Sequence, residues 1–171
     1  MNLEFEICEI PILNFDKVHF YTIIKEGASK SEFKDFLDRM QILGEKDKRV
    51  LQDLEQIKSE IKAIGTKFGA TPRRFKKEKN AYALATHYPK RKNKVGIYGL
   101  RIYCIVVNEN IVILMNGDDK TAKTAQDCPN VRMKFFDANH LDNRIREYLK
   151  NDVLKICGTF LVMNDDETLY W

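Results

Sequence analysis

A chain of 171 residues with 44% hydrophobic and 32% charged residues has the size of one compact domain, residues 1–171, and enough apolar content to fold without a metal or disulfide staple. No apolar run approaches the roughly 20 residues of a membrane-spanning helix. Residues 1–8 carry acids where a secretory leader needs bases, which with the missing apolar run predicts a cytoplasmic protein with no membrane partner. The net charge is only +4, but ten bases stand against one acid, Glu78, in residues 67–94, a local +9 that leaves −5 for the remainder. That asymmetry is the electrostatic footprint of a polyanion partner, RNA foremost, because each cation that neutralises a phosphate releases condensed counterions. The competing reading is a solvated basic loop.

In chain order, residues 18–24 (VHFYTII) are dense in β-branched and aromatic side chains and predict a strand closed by Glu26-Gly27. Ser29 or Ser31 then caps a helix whose Phe33, Phe36, Leu37 and Met40 share one face, with Gly44 as its C-terminal stop. A second helix over 46–64 carries Val50, Leu54, Ile57, Ile61 and Ile64 in steps of four and three, so residues 28–66 predict an antiparallel helical hairpin. Gly65, Gly69 and Pro72 end it.

After the basic segment, 97–107 and 111–115 predict two central strands joined at Asn108-Glu109-Asn110. Leu141, Ile145, Tyr148 and Leu149 predict a short helix over 139–151, and 153–163 a last strand before a mobile tail, 164–171, that begins acidic. Cys8, Cys104, Cys128 and Cys157 show no paired spacing and form none with His19, His87 or His140, so free buried thiols are expected and no metal site. Nucleotide-loop, dinucleotide, hydrolase-elbow and zinc-protease motifs are absent, and no cofactor is expected.

Three segments carry a resemblance: Gly99-Leu100-Arg101-Ile102-Tyr103, then Ile111-Val112-Ile113-Leu114, then Lys120-Thr121-Ala122-Lys123-Thr124-Ala125. An arginine-bearing strand, an apolar strand and a loop close to K-T-Q-K-T-P leading into a helix make the chain similar to the RelE/ParE toxin superfamily, especially its HigB-like branch. Ala122 and Ala125 stand at the glutamine and proline places, and Asn116-Gly117-Asp118-Asp119 replaces the usual apolar and basic entry to the loop. The resemblance implies an α+β fold in which an antiparallel sheet packs with an N-terminal helical hairpin and a C-terminal helix (RelE-like). It also implies a metal-independent endoribonuclease toxin acting on mRNA, free or on the ribosome, with a cognate antitoxin protein as partner.

Such cleavage needs a base at the attacking 2′-hydroxyl, cations on the phosphate and a proton for the leaving oxygen. Arg101 is the candidate phosphate clamp, with a structural salt bridge as its other reading. Lys120 and Lys123, with Thr121 and Thr124, are candidates to hold the RNA backbone, against a plain solvated turn. Tyr103, two residues from Arg101 on the same strand face, either stacks on a base and assists proton transfer or packs in the core. His87 is the candidate base by its titration range, and Lys92 or Lys94 the alternative. Arg73, Arg74, Lys76, Lys77, Lys90, Arg91, Lys92 and Lys94 are the candidate RNA-binding cations. Two other readings use the same residues: a non-catalytic RNA- or ribosome-binding module, and a protein-interaction scaffold.

Overall fold

The structure, a computed structural model, describes residues 3–86 and 98–171. The chain opens with β1 (Glu4–Asn14) and β2 (His19–Lys25), which pair antiparallel with Phe5 opposite Lys25. β1 was not legible as a strand, because three glutamates and Pro11 interrupt its apolar positions. Pro11 falls where the register breaks between Glu9 and Asn14, so its missing N–H costs no ladder bond.

Two helices follow, α1 (Glu32–Lys46) and α2 (Lys48–Ala63). Ser31 Oγ accepts from the Lys34 N–H at 3.2 Å to start α1. Asp47 ends α1 and caps α2 by accepting from the Arg49 N–H at 3.0 Å. Gly44 lies inside α1 and does not stop it: a Cβ there would meet the Leu51 side chain at 2.3 Å, so glycine lets α2 approach.

A π-helical turn at Ile64–Phe68 and a 3₁₀ turn at Pro72–Arg74 lead into β3 (Lys76–Glu78) and β4 (Ala81–Ala85). The long hairpin of β5 (Leu100–Asn108) and β6 (Ile111–Asp119) follows, then α3 (Arg132–Lys150). The expected last strand is instead a small hairpin, β7 (Leu154–Cys157) and β8 (Phe160–Met163), turning at Gly158 with φ +63°. In the tail 164–171, β9 (Leu169–Tyr170) pairs with Glu4 and Phe5, and the Trp171 N–H donates to the Leu3 carbonyl at 2.7 Å.

The main sheet runs β3-β4-β5-β6-β2-β1-β9, with β7-β8 apart. This overturns the expected architecture of an antiparallel sheet with an N-terminal helical hairpin. The sheet is mixed, because β2 lies parallel to β6 with His19 beside Ile111 and Thr22 beside Leu114. Two strands also precede α1 and α2, which sit within the crossover that a parallel pair requires.

β5 and β6 are buried on both faces, as their near-continuous apolar runs require. Ile102, Cys104, Val112 and Leu114 pack beneath Phe36, Met40, Leu54 and Ile61 of α1 and α2. On the opposite face Tyr103, Ile105, Ile111 and Ile113 pack against Phe135, Leu141 and Ile145 of α3. All four cysteines are free; Cys104 and Cys128 are buried, but Cys157 is exposed on the small hairpin and Cys8 half-buried. No helix among the described residues is long and apolar enough to cross a membrane.

The polar end of β6 ties the layers together. Asp119 accepts from Arg49 of α2 at 2.5 and 3.1 Å, and Arg49 also donates to Asp53 at 2.8 Å. Asp53, 0% exposed, accepts the Leu100 N–H at 3.3 Å. Asp118 pairs with Arg39 of α1 at 2.6 Å and with Lys134 of α3 at 3.3 Å. Between these strands a Cβ on Gly117 would lie 2.0 Å from the Arg101 carbonyl oxygen, so only glycine fits.

Arg49→Met leaves Asp53 and Asp119 without their cation and is expected to lower stability by about 3–5 kcal/mol. Gly117→Ala is expected to lower it by about 1–3 kcal/mol through overpacking. Urea unfolding checks both, with Lys58→Met, which removes only the exposed pair to Glu55, as a near-silent control.

Candidate nucleic-acid interface

The sequence-predicted site residues separate into four groups, one of which, Thr121, Lys123 and Thr124, lies on the exposed loop after β6. His87, Lys90, Arg91, Lys92 and Lys94 lie outside the described residues. Arg101, Tyr103 and Lys120 come together in the interior. Arg73, Arg74, Lys76 and Lys77 stand at the β3 edge of the sheet.

Arg101 and Tyr103 project from the same face of β5, and neither is solvent-accessible, at 4% and 0% exposed. β4 explains how the arginine is accommodated. Ala83 lies beside Tyr103 and Ala85 beside Arg101, so no bulky side chain blocks the guanidinium from crossing β4 to the Glu78 carboxylate on β3. Arg101 is therefore a salt-bridged residue, and its partner belongs to a strand, not to a helix. Glu78 was the one acid among ten bases, and that isolation was the sequence signal that it answers a specific cation.

Tyr103 Oη lies beside the Glu78 carboxylate but makes no hydrogen bond of good geometry among the described residues. Burial first, and the Glu78 charge second, push its phenol well above the ordinary range. Arg101 Nε and Glu78 Oε2 are also buried without a partner among the described residues.

Lys120 follows β6 directly and is 3% exposed. Its Nζ donates to the Lys123 carbonyl at 2.9 Å and lies 5.6 Å from the centre of the Tyr98 ring. Burial, then the Arg101 charge, push its pKa down to about 8. The rest of the loop is more open. The Lys123 side chain is exposed, and Thr124 Oγ1 donates to Asp127 at 2.5 Å. The Thr121 N–H donates to Cys128 Sγ at 3.3 Å. Burial would raise that thiol, but the Thr121 N–H and hydroxyl outweigh it and hold the thiol below its usual value. Asp118 and Asp119, expected at the loop entrance, are strand residues already neutralised by Arg39, Lys134 and Arg49.

The basic edge is different in kind. Arg73, Lys76, Lys77 and Lys79 are exposed. The Arg74 guanidinium sits 3.4 Å from the centre of the half-exposed Phe68 ring, and Lys77 Nζ 5.7 Å from that of Tyr82. Arg73, Arg74 and Lys76 form one wall of a cleft of about 1120 Å³ between α2 and β4. The other wall is the outer face of α2, with Gln52, Glu55, Gln56 and Glu60, and Thr86 and Arg101 also line the space. Glu60 reaches across to Arg74 at 3.3 Å. The sequence reading missed Phe68, Glu60 and the glutamines, because the polar side of an amphipathic helix carries no sign of what it faces.

Comparison with family models, with curated proteins and with solved structures returns no match for this chain.

Lys120 is expected to titrate near pH 8 by NMR of its side chain, and Arg101→Gln to raise that value by removing the neighbouring cation and freeing Glu78. Because the folded-state value lies below the roughly 10.4 of a free lysine, folding releases a proton between those two pH values. Stability therefore rises with pH across that window, and Lys120→Met should flatten the rise. An unchanged slope in Lys120→Met would remove this residue as its source.

Proposed function

We propose that this protein binds RNA through the cationic edge formed by Arg73, Arg74, Lys76 and Lys77, as a binding module and not as a nuclease. One contrast carries this reading. Arg73, Lys76 and Lys77 face solvent, and Arg74 and Lys77 lie beside aromatic rings, which suits phosphate contact and base stacking, whereas Arg101, Tyr103 and Lys120 are buried. A guanidinium committed to Glu78 is a poor clamp for a scissile phosphate, because the ion pair must break before the phosphate can be engaged.

Binding of a labelled RNA is expected to weaken linearly on a log-log plot against salt, and Arg73→Gln/Arg74→Gln/Lys76→Gln should reduce that slope by about 2–3. Fluorescence anisotropy across a salt series measures it. A slope unmoved by the triple variant would place the contact elsewhere.

A second reading, metal-independent RNA cleavage of the toxin type with an antitoxin partner, is favoured by one observation. A buried lysine whose pKa is lowered to about 8 by burial and by the Arg101 charge is suited to proton transfer near neutral pH. It predicts RNA fragments ending in a 2′,3′-cyclic phosphate that disappear in Lys120→Met. The binding reading predicts intact RNA in both proteins, checked on a denaturing gel.

A further inference from the structure

The cleft between α2 and β4 has two walls of opposite character, and that asymmetry bears on which form of RNA it accepts. On one side stand Arg73, Arg74 and Lys76; on the other, α2 presents Glu55, Glu60 and two glutamines. A polyanionic strand lying between them is drawn to the first wall and repelled from the second, so it has one favoured orientation. Its bases then turn toward α2, where carboxylates accept from exocyclic amines and ring N–H groups and the glutamine amides both donate and accept.

At about 1120 Å³ the space exceeds a typical small-ligand pocket of roughly 300–1,000 Å³, so it has room for more than one nucleotide. A duplex meets only the first of these requirements, through its phosphates. Its Watson–Crick edges are already paired, and it sets phosphates of both strands toward the cleft, where Glu55 and Glu60 repel those that face α2.

Independent of charge, Thr86, which lines this cleft and is 7% exposed, holds a buried Oγ1 that lacks a partner among the described residues. Unsatisfied buried groups of this kind are uncommon and costly, and a ligand entering from the cleft would supply what they lack. The Glu60 carboxylate meanwhile occupies Arg74 across the opening, where it competes with any incoming phosphate.

We propose that this cleft is a groove for a single RNA strand, with phosphates along Arg73, Arg74 and Lys76 and bases turned toward Gln52, Gln56 and Thr86. The proposal rests on the RNA-binding reading above and adds the form of RNA that is bound. Fluorescence anisotropy of the full chain with an unstructured ten-nucleotide RNA, and with the same sequence annealed into a blunt duplex, tests it.

The single strand is expected to bind at least tenfold more tightly. Gln52→Ala/Gln56→Ala should weaken single-strand binding several-fold and leave duplex binding alone, and Glu60→Gln should tighten single-strand binding two- to fivefold by releasing Arg74. Circular dichroism establishes that these surface variants remain folded.

Equal affinity for both RNAs, lost together in the Arg73→Gln/Arg74→Gln/Lys76→Gln variant, would overturn the groove and leave the basic edge intact. Binding of neither RNA at low salt would overturn both readings. A single-strand preference indifferent to the glutamine pair and to Glu60→Gln would place recognition outside this cleft and overturn the proposal. Polyglutamate that displaces the single strand as effectively as unlabelled RNA would overturn it in favour of an acidic protein partner.

Discussion

The polar end of β6 is the constraint from which the rest of this structure follows. A central strand normally ends where its apolar run ends, but here the ladder continues through Asn116-Gly117-Asp118-Asp119, opposite Leu100, Arg101 and Ile102. The continuation depends on Gly117 admitting the β5 backbone and on carboxylates that find cations from helices on both sides of the sheet. Arg39 makes four contacts there: to Asp118, to Asn116, to the Gly117 carbonyl at 2.8 Å and to Asp35 at 2.8 Å. Asn116 in turn donates to Asp35 at 2.9 Å. Burial would raise the Asp35 carboxyl, but the bonds from Asn116 and Arg39 outweigh it and hold it below the usual range. Partly desolvated charges of this kind add little net stability over an apolar packing, yet they penalise any arrangement that separates them, so their effect is to select one docking of the helices.

The same chemistry recurs one strand away. Arg101 and Glu78 form a pair carried across β4, whose alanines leave it room, and the pair holds the short β3 edge strand onto the sheet. Because β3 carries Lys76 and Lys77, this interior contact also positions the exterior cations. The buried cluster and the basic edge are thus connected mechanically, and electrostatically as well, since the Lys76 charge contributes to holding the Lys120 amine below its ordinary value after burial and Arg101. A residue read as a reagent serves here as the support of a surface.

That connection limits how charge counts in a sequence translate into function. Cations near a sheet centre pay for desolvation by pairing, and once paired they contribute little to the field that attracts a polyanion. Cations exposed on or just before a short edge strand, Arg73, Lys76 and Lys77, keep their charge available. In this fold the difference between the two is set by which face of which strand a residue occupies.

The apolar runs of β2, β5 and β6, the stripes of α1 and α2, and the basic character of residues 67–94 were all legible by themselves, because each depends on local period or local composition. β1 was not, since its glutamates and proline are tolerable only beside a particular neighbour, and the parallel alignment of β2 with β6 was not, since strand direction is decided by what crosses between them. Likewise the sequence showed that Arg101, Lys120 and the paired aspartates were chemically notable. Only the tertiary structure assigned Arg101 to Glu78, the aspartates to Arg39 and Arg49, and the exposed edge to Arg73, Lys76 and Lys77. The physical reason is that a side chain's charge is a property of its sequence, whereas its solvation and its partner are properties of the packing around it.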